Sequence, residues 1–185
     1  MGSARASGAL VLGDLAGRTI AYVADEDDKV VHVLDVAGRQ EIASTQVAGT
    51  PAQVLVASDG RVLVTLRDAS LVQVFTASNR DGSLTARCTV PTSIEPIGIA
   101  EAPGGASFVV TSGWGRAVTV LDAHTRRVVW RSNSSATGMD GVVFFGLGRV
   151  STAGELACLV SRGVVARLFE PPKPVTASAT TTSGR

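Results

Sequence analysis

The sequence predicts an all-β chain of repeated four-stranded antiparallel units, and three observations carry that reading. One unit occurs nearly twice between Pro51 and Asp122, with Pro51 and Pro96 45 residues apart and Gly60 and Gly105 at the same spacing. Apolar runs of four to seven residues, dominated by Val, Ile, Leu, Thr and Phe, alternate with turn residues at short intervals, the pattern of short strands. Nowhere is the i, i+3, i+4 spacing of an amphipathic helix sustained. A repeat of this length matches one four-stranded propeller blade, so the expected architecture is a partial β-propeller of about three blades with an irregular C-terminal segment.

Residues 1–8 are small and polar and are expected to form a disordered lead. The first unit, about 9–48, places strands at Ala9 to Leu12, Ile20 to Ala24, Val30 to Asp35 and Glu41 to Val47, with a turn at Gly17-Arg18. In the second, about 49–91, Val54 to Ala57, Val62 to Leu66, Leu71 to Phe75 and Leu84 to Val90 are strands. Ser58-Asp59-Gly60 forms its first turn, and Asp81-Gly82 is a hairpin signal. The third, about 92–131, repeats the pattern at Ile97 to Ala100, Phe108 to Thr111, Val118 to Asp122 and Arg127 to Arg131. Blades pack face to face around an axis because one twisted sheet cannot bury both of its faces alone.

The motifs resemble the YVTN-type β-propeller repeat, in which a Pro-x-Gly-Val-Ala-Val strand, an Asp-Gly turn, a Tyr-Val-Thr-Asn strand and a Val-x-Val-Ile-Asp strand succeed one another. Here the matching residues are Ala21-Tyr22-Val23-Ala24-Asp25 with Val31-x-Val33-Leu34-Asp35, and Pro96-x-Gly98-Ile99-Ala100 with Val109-Val110-Thr111-Ser112 and Val118-x-Val120-Leu121-Asp122. The resemblance covers residues 9–131 and implies a fold built from packing and turn residues. It also implies kinship with bacterial exported propellers and with lactonase-like and quinoprotein propellers. Some of that family are joined to haem domains, but no CxxCH occurs in this chain.

After Trp130 the repeat loses register. Asn133 to Gly138 is linker-like, and 132–170 reads as an irregular or frame-disrupted segment, followed by Pro171-Pro172-Lys173-Pro174 and a disordered tail over 171–185. Residues 1–122 carry nine Lys/Arg against thirteen Asp/Glu, whereas 123–185 carry eight against three. With fifteen Arg against two Lys, the usage points to GC-rich coding DNA, where a shifted frame meets few stop codons. A frameshift near 131–140 therefore accounts for the break; a short chain whose tail caps the open blade face is the alternative.

Chemistry is sparse in these residues. The formal net charge is +1, which gives no case for nucleic acid or an anionic membrane surface, since both need a clustered basic face. No apolar run reaches the roughly 20 residues of a membrane span. The N-terminus lacks the apolar core of a signal peptide, so a cytoplasmic location is the default expectation. Cys88 and Cys158 have no metal or haem spacing and read as ordinary buried thiols. His32 and His124 lack ligand partners in sequence.

Two hairpin loops remain as candidate partner-binding surfaces. Asp25, Glu26, Asp27 and Asp28 gather four carboxylates, the oxygen chemistry of a hard cation, but the Asp-x-Asp-x-Asp-Gly spacing is missing and a solvated hairpin tip is the simpler reading. Trp114, between Gly113 and Gly115, offers a stacking surface, with Arg116 as an anion contact. No catalytic, cofactor-binding or metal-ligating residue is nominated. The expected function is accordingly a non-catalytic propeller that binds a protein or small ligand, with self-association through open blade edges as a further possibility. A truncated fragment without independent function, or a fragment of a lactonase-like or quinoprotein-like enzyme, are the alternatives.

Overall fold

The apolar runs become strands and the turn residues between them become hairpins. A computed structural model describes residues 5–114, 117–133, 158–161 and 164–167. A short β1 (Arg5–Ala6) precedes three antiparallel meanders. The first blade is β2 (Leu10–Leu15), β3 (Arg18–Asp25), β4 (Val30–Asp35) and β5 (Gln40–Gln46). The second is β6 (Pro51–Val56), β7 (Arg61–Leu66), β8 (Leu71–Ala77) and β9 (Leu84–Pro91). The third is β10 (Pro96–Glu101), β11 (Ser107–Ser112), β12 (Ala117–Asp122) and β13 (Val128–Asn133). A separate hairpin joins β14 (Cys158–Ser161) to β15 (Val164–Arg167). Among the described residues there is no helix, and so none long and apolar enough to cross a membrane. The all-β expectation of four-stranded antiparallel blades holds.

The repeat extends to its irregularities. Each blade breaks register at the same point between its third and fourth strands, at Val33/Leu34, Val74/Phe75 and Val120/Leu121. In the second and third blades the inner strand also bulges just after its proline, between Pro51 and Val54 and between Pro96 and Ile99. A bulge leaves a backbone N–H outside the ladder. The hydroxyl of buried Thr65 accepts it from Gln53 at 3.1 Å, and that of buried Thr111 accepts it from Gly98 at 3.2 Å. The first blade has no proline in β2, no bulge, and Ala24 at the equivalent position.

Packing between blades supplies the core. Ile20, Tyr22, Val31 and Val33 of the first blade meet Val54, Val62, Val64 and Phe75 of the second. From the opposite face of the second blade, Leu55, Leu63, Val72 and Val74 meet Ile99, Phe108, Val110 and Leu121 of the third. The central sheet is buried on both faces, which is why β7 reads Val62-Leu63-Val64-Thr65-Leu66 with no polar alternation. By contrast β2 alternates in burial and leaves Leu10 and Leu12 55% and 60% exposed.

Two expectations need amendment, and a third falls largely outside the described residues. Residues 1–8 read as a disordered lead, but Arg5 and Ala6 pair with Glu101 and Ala100 on the inner edge of the third blade, and Gly8 bridges to Val54 of the second. Small residues made the segment look featureless; what orders it is the unpaired inner-strand edge, which only the assembled blades present. The first turn lies at Ala16-Gly17 rather than Gly17-Arg18, since Leu15 pairs with Arg18. Apart from Ser132, Asn133, β14 and β15, the 132–170 segment that the sequence reads as irregular or frame-disrupted, and the 171–185 tail, lie outside the described residues.

Two measurements follow from this geometry. Ala16 and Gly17 both have positive φ, at 53° and 81°, the type I′ turn that prefers Asn-Gly. Ala16→Asn should stabilise the chain by about 1 kcal/mol in urea unfolding. Thr65→Val keeps the shape but strands the Gln53 N–H, and should cost roughly 1–3 kcal/mol, whereas Thr65→Ser should restore most of it.

Candidate functional site

Antiparallel meanders send the β3–β4, β7–β8 and β11–β12 hairpins to one end of the blades, together with the β5–β6 and β9–β10 connections. There they enclose an open groove of about 610 Å³ lined by Glu26, Asp27, Thr50, Arg67, Asp68, Ser70, Ile94, Glu95 and Trp114. Several of these side chains are fixed by bonds between neighbouring blades or loops. Asp68 accepts hydrogen bonds from the Thr50 N–H at 2.6 Å and the Thr50 hydroxyl at 3.0 Å, and pairs with Lys29 of the first blade at 3.2 Å. The Thr50 N–H, foremost, holds the Asp68 carboxyl down at about 2. A Cβ at position 49 would run into the Asp68 carboxylate, so Gly49 leaves that carboxylate room to reach Thr50.

In the third blade the same connection is made with donor and acceptor exchanged. The Trp114 N–H donates to Glu95 Oε2 at 3.0 Å, and the Gly113 N–H donates to the Glu95 carbonyl at 2.9 Å. Glu95 takes a φ of 56° immediately before Pro96, a strained choice for a residue preceding proline. Arg67 lies between the two ends of the groove, reaching Glu26 Oε2 at 2.9 Å and Glu95 Oε1 at 3.5 Å. Trp114 itself is 84% exposed and Ile94 70% exposed, so an indole and a butyl side chain face solvent beside four carboxylates and one guanidinium.

Of the residues singled out in the sequence, Glu26, Asp27 and Trp114 meet at this groove. Asp25 and Asp28 do not line it. The Asp25 carboxylate caps its own turn, accepting from the Asp28 and Asp27 N–H groups at 3.0 and 2.9 Å, and these bonds, Asp28 first, lower its pKa. Arg116 lies outside the described residues. No grouping of His, Cys, Asp or Glu suited to a metal ion occurs among the described residues, so the acidic run is not gathered into a cation site. Cys88 is a free thiol. Sequence reasoning missed Thr50, Arg67, Asp68, Ile94 and Glu95. The signal was present in the repeat itself, since Thr50 and Glu95 each precede a blade's proline and Arg67-Asp68 occupies the hairpin position of Gly113-Trp114.

Comparison with known proteins identifies the class. The chain is similar to a putative 6-phosphogluconolactonase from Bacteroides fragilis, with 19% identity and a TM-score of 0.56 over 65% of this chain and 36% of that one. It is similar to virginiamycin B lyase from Staphylococcus aureus, with 14% identity and a TM-score of 0.58 over 91% of this chain and 56% of that one. The β-propeller domain of Myceliophteria thermophila Cps50 matches with 13% identity and a TM-score of 0.52 over 68% and 40%. No protein-family model and no curated protein sequence matches. These blades are those of a β-propeller, and the chain spans well under two thirds of the propellers it matches.

The expectation that the chain is not an enzyme is corrected by these matches, because several of the matching structures bear enzyme names. The physical reason is that a propeller assembles its reactive groups from loops of several blades, so a lack of local catalytic motifs in the sequence does not bear on activity. At such identities the likeness concerns the fold.

His32 gives a pH signature that is independent of the groove. Its Nε2 lies 3.4 Å from Asp25 Oδ2, and its Nδ1 lies 3.2 Å from Glu41 Oε1 but without hydrogen-bond alignment. The two carboxylates, Glu41 first, raise its pKa above 6.5 against the opposing effect of burial. The stabilisation is fully present below pH 6.5 and is lost as pH rises through the raised folded value. Urea unfolding across that interval should show stability declining with pH, and His32→Gln should remove this part of the decline.

Proposed function

We propose that this chain contributes the loop end of YVTN-type propeller blades as a binding surface, with the groove between the Asp25 to Lys29 and Gly113 to Trp114 hairpins as its contact site. The observation that carries the reading is Trp114, almost wholly exposed on the wall of a concave surface. An indole costs little conformational entropy to immobilise and offers a large contact area, which is why tryptophan is enriched where partners dock. Glu26, Asp68, Glu95 and Arg67 are already fixed by bonds between blades or loops, so a ligand would meet a surface that is largely ordered beforehand.

Trp114 also supplies the test. In a Trp130→Phe background it is the sole tryptophan, and its fluorescence reports on the groove. A screen of chemically diverse small molecules and short peptides should yield compounds that shift this emission in a saturable way. Calorimetry with the unaltered chain should confirm them, and the binding should be lost in Trp114→Ala at unchanged circular dichroism. Saturable binders that survive Trp114→Ala would place the binding surface elsewhere and overturn the assignment.

A further inference from the structure

We infer that the groove takes a basic peptide segment in extended conformation, with an arginine side chain stacked on Trp114. This rests on the reading of the groove as a binding surface and adds the chemistry of its occupant. Charge is the first argument. Among the described residues, Glu26, Asp27, Asp68 and Glu95 line the groove against one cationic side chain, Arg67. Arg67 is held by Glu26 and Glu95, and the Lys29 ammonium by Asp68. Among the described residues the Asp27 carboxylate has no ion-pair partner, and it stands on the exposed hairpin tip. Among the described residues the groove therefore keeps one uncompensated carboxylate beside an exposed aromatic face.

The choice of arginine follows from the shape of these groups. A planar guanidinium stacks on one indole face while its N–H groups reach neighbouring carboxylates. A quaternary ammonium is recognised by a cage of several aromatic rings, and among the described residues Trp114 is the one aromatic residue lining the groove. Lysine can satisfy the charge but not the stacking. The extended form follows from the layout. Glu26 and Asp27 come from the first blade, Arg67 and Asp68 from the second, and Trp114 from the third. An occupant that contacts both Trp114 and Asp27 bridges the hairpins of the first and third blades across a groove also lined by that of the second, as a strand-like segment with basic residues at two separated positions does. Ile94, exposed beside Trp114, adds apolar contact for the aliphatic stem of the arginine.

The experiment titrates the full chain, unaltered and as Trp130→Phe, with a synthetic Gly/Ser peptide carrying two separated arginines. Matched peptides carry lysine, citrulline or glutamate at those positions. Fluorescence of Trp114 and calorimetry are read together. The arginine peptide should bind at least roughly tenfold more tightly than the citrulline peptide, which keeps the shape and loses the charge. Lysine should fall between them. Binding should weaken several-fold when salt is raised from about 0.1 M to about 1 M. Trp114→Ala and Asp27→Asn should each weaken it, and both positions are exposed, so folding is checked simply by an unchanged circular dichroism spectrum. Equal binding of the arginine and citrulline peptides, or preference for glutamate, would overturn the cationic occupant while leaving the groove a binding surface. Arginine-peptide binding untouched by Trp114→Ala would overturn both readings.

Discussion

The structure depends on one constraint: a twisted four-stranded sheet has two apolar faces and cannot bury either by itself. The second blade meets this constraint completely. Val54, Val62, Val64 and Phe75 are covered by the first blade, and Leu55, Leu63, Val72 and Val74 by the third. Burial on both faces at roughly 25 cal/mol per Å² of apolar surface is the main favourable term available to such a sheet. It also explains the local sequence, because a strand with two dry faces needs no polar alternation. Among the described residues the first blade is covered on one side only, and its β2 alternates accordingly.

Face-to-face packing then decides where polar groups have to go. Bringing inner strands together around an axis bends them after their prolines, and the bends release backbone N–H groups that Thr65 and Thr111 recover. The incoming connections are held in the same manner. The Ala48 N–H donates to Gln73 Oε1 at 3.0 Å, and the Ser93 N–H donates to Thr119 Oγ1 at 3.3 Å, from equivalent places in the third strands of two blades. On the opposite end, Glu101, only 3% exposed, accepts the N–H and hydroxyl of Ser58 at 2.8 and 2.6 Å. Polar side chains thus fix the relative positions of blades whose apolar contacts alone would allow sliding.

At the loop end the same device is used with a variation that creates the groove. In the second blade the carboxylate stands on the hairpin, at Asp68, and the connection supplies the N–H of Thr50. In the third the carboxylate stands on the connection, at Glu95, and the hairpin supplies the N–H of Trp114. Moving the acid off the hairpin frees that tip for an indole, and the indole then projects into solvent because its backbone is already held. The strained φ of Glu95 accompanies this exchange, as strain accompanies functional positions elsewhere. Arg67 links the two arrangements through Glu26 and Glu95.

Much of the fold was legible in the residues. The spacing of Pro51 and Pro96, the turn glycines and the Val-rich runs specify strands, hairpins and a blade-length repeat, because those depend on local conformational preference and a period of two. Trp114 and the acidic hairpin stood out for the same local reason. Other features were decided by contacts distant in sequence. Arg5 to Gly8 is ordered by the inner-strand edges of the second and third blades, through Val54, Ile99, Ala100 and Glu101, and Asp25 turns inward to its own hairpin while Glu26 reaches Arg67 and Asp27 lines the groove with Trp114. By itself the sequence determined which segments are strands and which turns; only the tertiary structure decided which loop residues share a surface, because a groove between blades exists only once the apolar faces have packed.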